Sequence, residues 1–151
     1  MELKTEKVEN MCGGEGHVII KHILGEKELN GKCGLYAQVT IEPGCSLGYH
    51  EHHNESETYY ILSGQGDYDD NGTVRPVKAG DVTFTPDNHG HGLKNTGDTD
   101  LVFMALIILF PFLLVIMFRS RVTDVALITL SISSLAETHY LSSTLTTWRE
   151  I

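Results

Sequence analysis

The chain has 151 residues, a length that predicts a single domain. Its 20 acidic and 11 basic residues give a formal net charge of -9, which argues against nucleic-acid phosphates as partners. The first residues are charged and lack the pattern of a signal peptide, and the cysteines (Cys12, Cys33 and Cys45) share no metal-type spacing. We therefore expect a cytoplasmic protein with reduced thiols.

Short β-strands separated by turn residues are predicted along most of the chain, and every glycine lies before Leu101. Asn71-Gly72 is a strong signal for a two-residue hairpin turn, and a further hairpin is expected at 63–66. The predicted strands are 17–24, 33–42, the run around His50, Thr58–Leu62, 67–70, 73–78, 82–85, the run around His91, and Leu101 to about Leu109. Such a series predicts an all-β barrel or sandwich over residues 1–109.

A cluster of candidate metal ligands lies between Gly44 and Gly64. Because side chains alternate along a strand, His50 and His52 are expected to point to the same side. Glu57 begins the next β-rich run and is expected to close over that side. These three residues form the first part of a predicted metal site.

The fourth candidate ligand is His91, in a second cluster that runs from Gly80 to Asn95. Three imidazoles and one carboxylate suit a divalent transition metal (Mn, Fe, Zn or Ni, with Mn or Fe slightly favoured) rather than Ca or Mg. Four protein ligands on a six-coordinate ion leave two positions for water or substrate. The set therefore favours a working site over a structural zinc site.

The two clusters resemble the two motifs of the cupin superfamily. The first motif is matched at every fixed position, and the second at all but one. The exception is Asn88, which stands where the motif has glycine, and asparagine tolerates the left-handed backbone better than most residues. The resemblance implies a jelly-roll β-barrel, the metal ligands named above and a homodimer.

Four further residues are expected to line the pocket. Tyr59 and Ile61 should share the inward face of Glu57, and His89 and Leu93 the face of His91. Tyr59 is either a hydrogen-bond donor to a ligand or an ordinary core tyrosine. His89 is either an acid or base beside the metal or a histidine in a turn.

The C-terminal tail, residues 110–151, departs from the resemblance. Every residue from Leu101 to Phe118 is apolar, which is typical of a membrane span, but the barrel needs Leu101 to about Leu109 as its last strand. The remaining apolar residues are too few to cross a membrane. Three interpretations stay open: a helical addition, a membrane-associating segment (through 101–118, not favoured) or a non-native extension.

The sequence leaves two functional hypotheses. In the first, the chain is a metal-dependent enzyme acting on a small oxygen-rich metabolite, of isomerase, decarboxylase or dioxygenase type. In the second, the same site binds or senses a small molecule or metal without turnover. Arg75 is the only arginine before the tail, which weakens oxalate-decarboxylase and sugar-phosphate-isomerase assignments but leaves open a carboxylate held by the metal alone.

Overall fold

The computed structural model describes residues 3–110, and nearly all regular structure in this range is β-strand. A short 3₁₀ turn at Met11–Gly13 and one helical turn, α1 (Glu26–Leu29), interrupt the strands. The strands are β1 (Thr5–Glu9), β2 (His17–His22), β3 (Cys33–Ile41), β4 (Ser46–Glu51), β5 (Glu55–Ser63), β6 (Gln65–Asp70), β7 (Thr73–Lys78), β8 (Val82–Thr85), β9 (Gly90–Asn95) and β10 (Leu101–Leu109).

The strands form two antiparallel sheets. The larger sheet has the order β1-β2-β3-β10-β5-β8, and the smaller has the order β4-β9-β6-β7. Alternate residues of both sheets supply the buried apolar core. The core side chains are Val18, Ile20, Ala37, Val39, Ile41, Leu47, Tyr59, Ile61, Tyr68, Val77, Leu93, Leu101, Phe103 and Ala105. The predicted all-β jelly-roll barrel is therefore confirmed.

Residues that accept a left-handed backbone stand at the turns. Asn71 and Gly72 have φ angles of 52° and 89° and connect β6 to β7, as the hairpin signal predicts. Asn88 has a φ of 60°, so asparagine does meet the backbone requirement at this position. Gly64 has a φ of 81°, and a Cβ there would lie only 2.5 Å from the carbonyl oxygen of Asp100. Gly64 is therefore required both by its φ angle and by the close approach of the neighbouring chain.

Two predictions about the strands are wrong. The expected hairpin at 63–66 does not form, because β5 pairs with β8 and β10 while β6 pairs with β7 and β9. The chain crosses at Gly64 from the larger sheet to the smaller one. The sequence prediction also missed β1, in which exposed and half-buried residues alternate along the outer edge of the larger sheet.

The apolar run that begins at Leu101 is a strand in the middle of the larger sheet. β10 pairs with β3 on one side and with β5 on the other, so Leu101–Leu109 belongs to the barrel. Within residues 3–110, no helix is long and apolar enough to cross a membrane. Beyond Phe110, the predicted tail and its three interpretations lie outside the described residues.

Candidate metal centre

The four predicted ligands come together between the two sheets. His50 lies on β4 and His91 on β9, directly opposite each other in the register of the smaller sheet. His52 follows the end of β4, and Glu57 reaches in from β5 of the larger sheet. Glu51 and His53 are exposed on the other side, as strand alternation predicts.

The ligand atoms form a compact group in which all lie within 4.8 Å of one another. The Nε2 atom of His91 is 3.0 Å from Nε2 of His52 and 3.2 Å from Nε2 of His50. The Oε2 atom of Glu57 lies 2.9 Å from Nε2 of His91, 3.1 Å from Nε2 of His52 and 3.8 Å from Nε2 of His50. The side chain of His50 is 23% exposed, whereas those of the other three ligands are almost fully buried, so solvent reaches the group beside His50.

Hydrogen bonds to Nδ1 of His50 and His52 orient the two rings so that Nε2 faces the other candidate ligands. Nδ1 of His52 lies 2.7 Å from Oε1 of Glu55, and Nδ1 of His50 lies 3.1 Å from the carbonyl oxygen of Gly48. Both oxygens are acceptors, so each Nδ1 carries the proton and each Nε2 presents a lone pair inward. The converging Oε2 of Glu57 is buried and has no partner of hydrogen-bond geometry among the described residues. A cation placed between these three acceptors would satisfy all of them.

The pKa values of Glu57, His52 and His91 are shifted by burial and by the short distances between these side chains. Burial raises the pKa of the Glu57 carboxyl group, but the three nearby imidazoles outweigh it and hold the pKa below its usual value. The same carboxylate raises the pKa of His52 against the opposing effect of burial, and Glu55 adds to this rise. Burial lowers the pKa of His91, which keeps that ring neutral and able to coordinate a metal.

His91 is held from behind by two hydroxyl groups. Its Nδ1 lies 2.8 Å from Oγ1 of Thr85 and 2.9 Å from the hydroxyl of Tyr68, and these two oxygens are 2.7 Å apart. All three residues are buried. The hydroxyl groups fix the ring so that Nε2 points to the centre, as the outer partners of metal-binding histidines do.

The structure places three of the four predicted pocket residues in the interior and the fourth in an exposed turn. Tyr59 is buried, and its hydroxyl lies 3.5 Å from Nε2 of His91, while Ile61 and Leu93 are buried in the core. Burial, followed by the charge of Glu57, raises the pKa of Tyr59 well above 10, so the hydroxyl stays protonated. The placement of His89 in the pocket is wrong, because β9 begins at Gly90. The exposed His89 ring lies in the preceding turn, near the carbonyl oxygen of Asp87, which agrees with the alternative of a turn histidine.

Three residues that contact the ligands were missed by the sequence analysis. Glu55 lies two positions before Glu57, so strand alternation could have placed it on the inward side. Thr85 lies opposite Glu57 in the pairing of β5 with β8, and Tyr68 lies on β6 beside β9. Neither pairing leaves a signal in the sequence around these residues.

Comparison with known proteins agrees with this geometry. The family profile described as a cupin domain matches residues 37–108. The chain is 46% identical over 108 residues to a protein of Thermotoga maritima named oxalate-binding protein, which covers 72% of this chain and 89% of that protein. It is 37% identical over 75 residues to the oxalate decarboxylase of Bacillus subtilis, covering 46% of this chain and only 20% of that enzyme.

A solved structure shows the same architecture. The crystal structure of a predicted oxalate decarboxylase from Thermotoga maritima superposes with a TM-score of 0.70 at 46% identity. The match covers 72% of this chain and 95% of that one. The chain therefore belongs to the cupin domain family, and it carries a His₃Glu group with the geometry of a metal site.

Proposed function

We propose that the chain holds one divalent transition metal through His50, His52, Glu57 and His91 and binds a small oxygen-rich acid of the oxalate class on that metal. The observation that carries the proposal is the convergence of acceptor atoms. The Nε2 atoms of His50 and His52 converge on the buried Oε2 of Glu57, which has no hydrogen-bond partner among the described residues. A divalent cation satisfies all of them at once.

The spacing of the ligand atoms favours a six-coordinate metal. Bonds of about 2.1 Å place neighbouring ligand atoms of an octahedral ion about 3.0 Å apart, whereas a tetrahedral ion spreads them to about 3.4 Å. Four of the contacts in this group are between 2.9 and 3.2 Å. The spacing therefore supports a divalent transition metal with two coordination positions left for a ligand.

The surroundings of the site favour a ligand anchored by the metal itself. Arg75 is the single arginine among residues 3–110. Its Nε atom lies 3.2 Å from Oδ2 of Asp70, and its guanidinium group lies over the ring of Tyr68, so it is not part of the metal group. A carboxylate that enters the site would therefore be held by the charge of the metal, which favours a small ligand with two chelating oxygens. The 46% identity to a protein named for oxalate binding supports this class of ligand.

The hydroxyl of Tyr59 supplies the hydrogen bond that such a ligand needs. It lies beside Nε2 of His91 and remains protonated because its pKa is raised by burial and by the charge of Glu57. A bound oxygen at an open metal position would accept this hydrogen bond. Tyr59 therefore acts as a donor that orients the ligand and not as a base.

Turnover of the bound acid is the second candidate function. A bound divalent metal acts as a Lewis acid that polarises ligand oxygens, and decarboxylation or isomerisation would build on this effect. Proton transfer in such a reaction needs a titratable group near the reacting atoms. Tyr59 lies beside the site, but its raised pKa makes it a weak acid, so the described residues favour binding over turnover.

The proposal is tested by metal analysis and calorimetry. The purified full-length chain should contain close to one transition-metal ion per chain. The His50→Ala variant, which loses the most exposed of the four candidate ligands, should contain far less metal while staying folded. Oxalate should bind the metal-loaded chain but not the metal-free chain. Failure to bind metal after soaking, or equal oxalate binding without metal, would contradict the proposal. Release of carbon dioxide or formate from oxalate would favour the enzymatic alternative.

A further inference from the structure

The three histidines of the metal group differ in the atoms that lie behind their rings. Nδ1 of His52 lies 2.7 Å from Oε1 of Glu55, and Nδ1 of His50 lies 3.1 Å from the carbonyl oxygen of Gly48. Both oxygens accept hydrogen bonds and cannot donate them, so each keeps the proton of its histidine on Nδ1. The tautomers of His50 and His52 are therefore fixed whether or not a cation is present.

His91 instead has two hydroxyl groups behind its ring. Its Nδ1 lies 2.8 Å from Oγ1 of Thr85 and 2.9 Å from the hydroxyl oxygen of Tyr68, and these two oxygens are 2.7 Å apart. A hydroxyl group can either donate or accept a hydrogen bond, and its hydrogen turns to suit its partner. Both residues are buried, so each hydroxyl needs these partners. The hydrogen bonds behind His91 therefore suit either a proton or a lone pair on Nδ1.

Without a cation, the inner side of the group needs a hydrogen-bond donor. Nε2 of His91 lies 3.0 Å from Nε2 of His52 and 3.2 Å from Nε2 of His50, and both of these nitrogens present lone pairs. A proton on Nε2 of His91 supplies that donor. The carboxylate of Glu57 favours a proton at the same atom by its charge, because its Oε2 lies 2.9 Å away. The metal-free group is therefore most favourable with the proton of His91 on Nε2 and a hydroxyl hydrogen donated to Nδ1.

We propose that His91 changes tautomer when a divalent cation enters the group, with the proton on Nε2 before binding and on Nδ1 afterwards. The inference rests on the proposed function, since it takes a cation that binds Nε2. One proton leaves Nε2 for solvent and one is taken up from solvent at Nδ1, so the ring is neutral in both states and releases no net proton. The hydrogen bond at Nδ1 reverses, because a hydroxyl of Thr85 or Tyr68 donates to the lone pair before binding and accepts the N–H proton afterwards.

The exchange gives Thr85 and Tyr68 a positioning role that an acceptor alone could not fill. A carboxylate or carbonyl oxygen behind His91 would hold the proton on Nδ1, and three inward lone pairs would then face one another in the metal-free chain. The hydroxyl pair lets His91 donate to the other two histidines before binding and present its own lone pair afterwards. The four ligand side chains can therefore keep one arrangement in both states.

Nitrogen–proton correlation spectra of the histidine rings test the proposal in the isotope-labelled full-length chain. Spectra are recorded on the metal-free chain and on the chain loaded with Zn²⁺, a diamagnetic probe whose content is measured by elemental analysis. His91 should carry its proton on Nε2 without Zn²⁺ and on Nδ1 with it. His50 and His52 are controls in the same spectra, since both should keep the proton on Nδ1 throughout.

The two readouts separate failure of this inference from failure of the proposed function. A metal-free chain with the proton of His91 on Nδ1 would overturn the tautomer change. One bound Zn²⁺ per chain without a change at His91 would overturn it as well and leave the proposed metal site intact. A Zn²⁺ content near zero would contradict both the tautomer change and the proposed function.

Substitution of the hydroxyl groups tests their role separately. Tyr68→Phe and Thr85→Val each leave one hydroxyl beside Nδ1, so His91 should still change tautomer in both single variants. The double variant leaves the N–H group of the bound form without an acceptor, and its affinity for Zn²⁺ should fall by about 10- to 100-fold in a competition titration. Even if the double variant fails to fold, the spectra of the original chain and the single variants still test the tautomers.

Thr83→Val is the matched control for the loss of a buried hydroxyl. Thr83 lies on the same strand as Thr85, and its buried hydroxyl has no hydrogen-bond partner among residues 3–110. This variant should bind Zn²⁺ like the original chain. Unchanged affinity of the double variant, or an equal loss in Thr83→Val, would overturn the role of the hydroxyl pair.

Discussion

Removal of the charge on Glu55 should weaken metal binding although Glu55 is not a ligand. Its carboxylate accepts the proton of Nδ1 of His52 at 2.7 Å, which turns Nε2 toward the metal position and raises the basicity of the ring. Glu55→Gln keeps the shape and a hydrogen-bond acceptor but removes the charge. Glu55→Ala removes the contact altogether.

The expected loss of metal affinity is estimated from the hydrogen bond between Glu55 and His52. A hydrogen bond to a charged group contributes about 1.5–3 kcal/mol, and the 26% exposure of the Glu55 side chain favours the lower part of this range. Outer partners of metal-binding histidines change metal affinity by about 10- to 100-fold, which is about 1.4–2.7 kcal/mol. We expect a loss of about tenfold for Glu55→Gln and closer to a hundredfold for Glu55→Ala.

The assay is a competition titration of metal against a chelator of known affinity at constant pH. Glu51→Gln is the matched control, since Glu51 ends the preceding strand, β4, faces solvent and has an exposed contact of 3.5 Å with His53. That variant should bind metal like the original chain. An unchanged affinity of Glu55→Ala, or an equal loss in Glu51→Gln, would refute the reasoning that Glu55 acts through His52.

Three further predictions concern the pH dependence of metal binding, the role of Tyr59 in ligand binding and the stability of the turn at Gly64. Metal affinity should fall as the pH is lowered through the raised pKa of His52 in a pH series of metal titrations, because a proton on Nε2 competes with the metal; an affinity independent of pH would contradict this role of His52. Tyr59→Phe should weaken binding of oxalate by calorimetry by about 1 kcal/mol and leave metal content unchanged; equal binding would remove the donor role. Gly64→Ala should lower the free energy of unfolding by roughly 1–3 kcal/mol more than Gly72→Ala in urea titrations, because both residues have positive φ but only Gly64 lacks space for a Cβ. Equal losses would show that the backbone angle alone matters.

The convergence of the four candidate ligands was predictable from the sequence because much of their arrangement depends on local geometry. His50 and His52 share a side through strand alternation, and the spacing of Glu57 and His91 matches a motif that was recognisable in the chain. The hairpin at Asn71-Gly72 was equally local, since two residues with positive φ define it. The same alternation placed Tyr59 and Ile61 inward, as their burial shows.

The wrong and missed predictions depend on contacts between distant parts of the chain. Alternation was applied to His89 as if β9 began before Gly90, but the turn at Asn88 breaks the pattern. The crossing at Gly64 was taken for a hairpin because glycine permits both, and only the pairing of β5 with β8 and β10 distinguishes them.

The sequence by itself determined which atoms can bind a metal, and the tertiary structure decided how those atoms are held. Thr85 and Tyr68 reach His91 only because β8 and β6, which lie in different sheets, both pass behind the ring. β3, β10, β5 and β8 likewise become neighbours only in the folded sheet, since their residues are far apart in the chain. Strand alternation is a property of a few consecutive residues, whereas the order of strands in a sheet depends on the packing of the whole core.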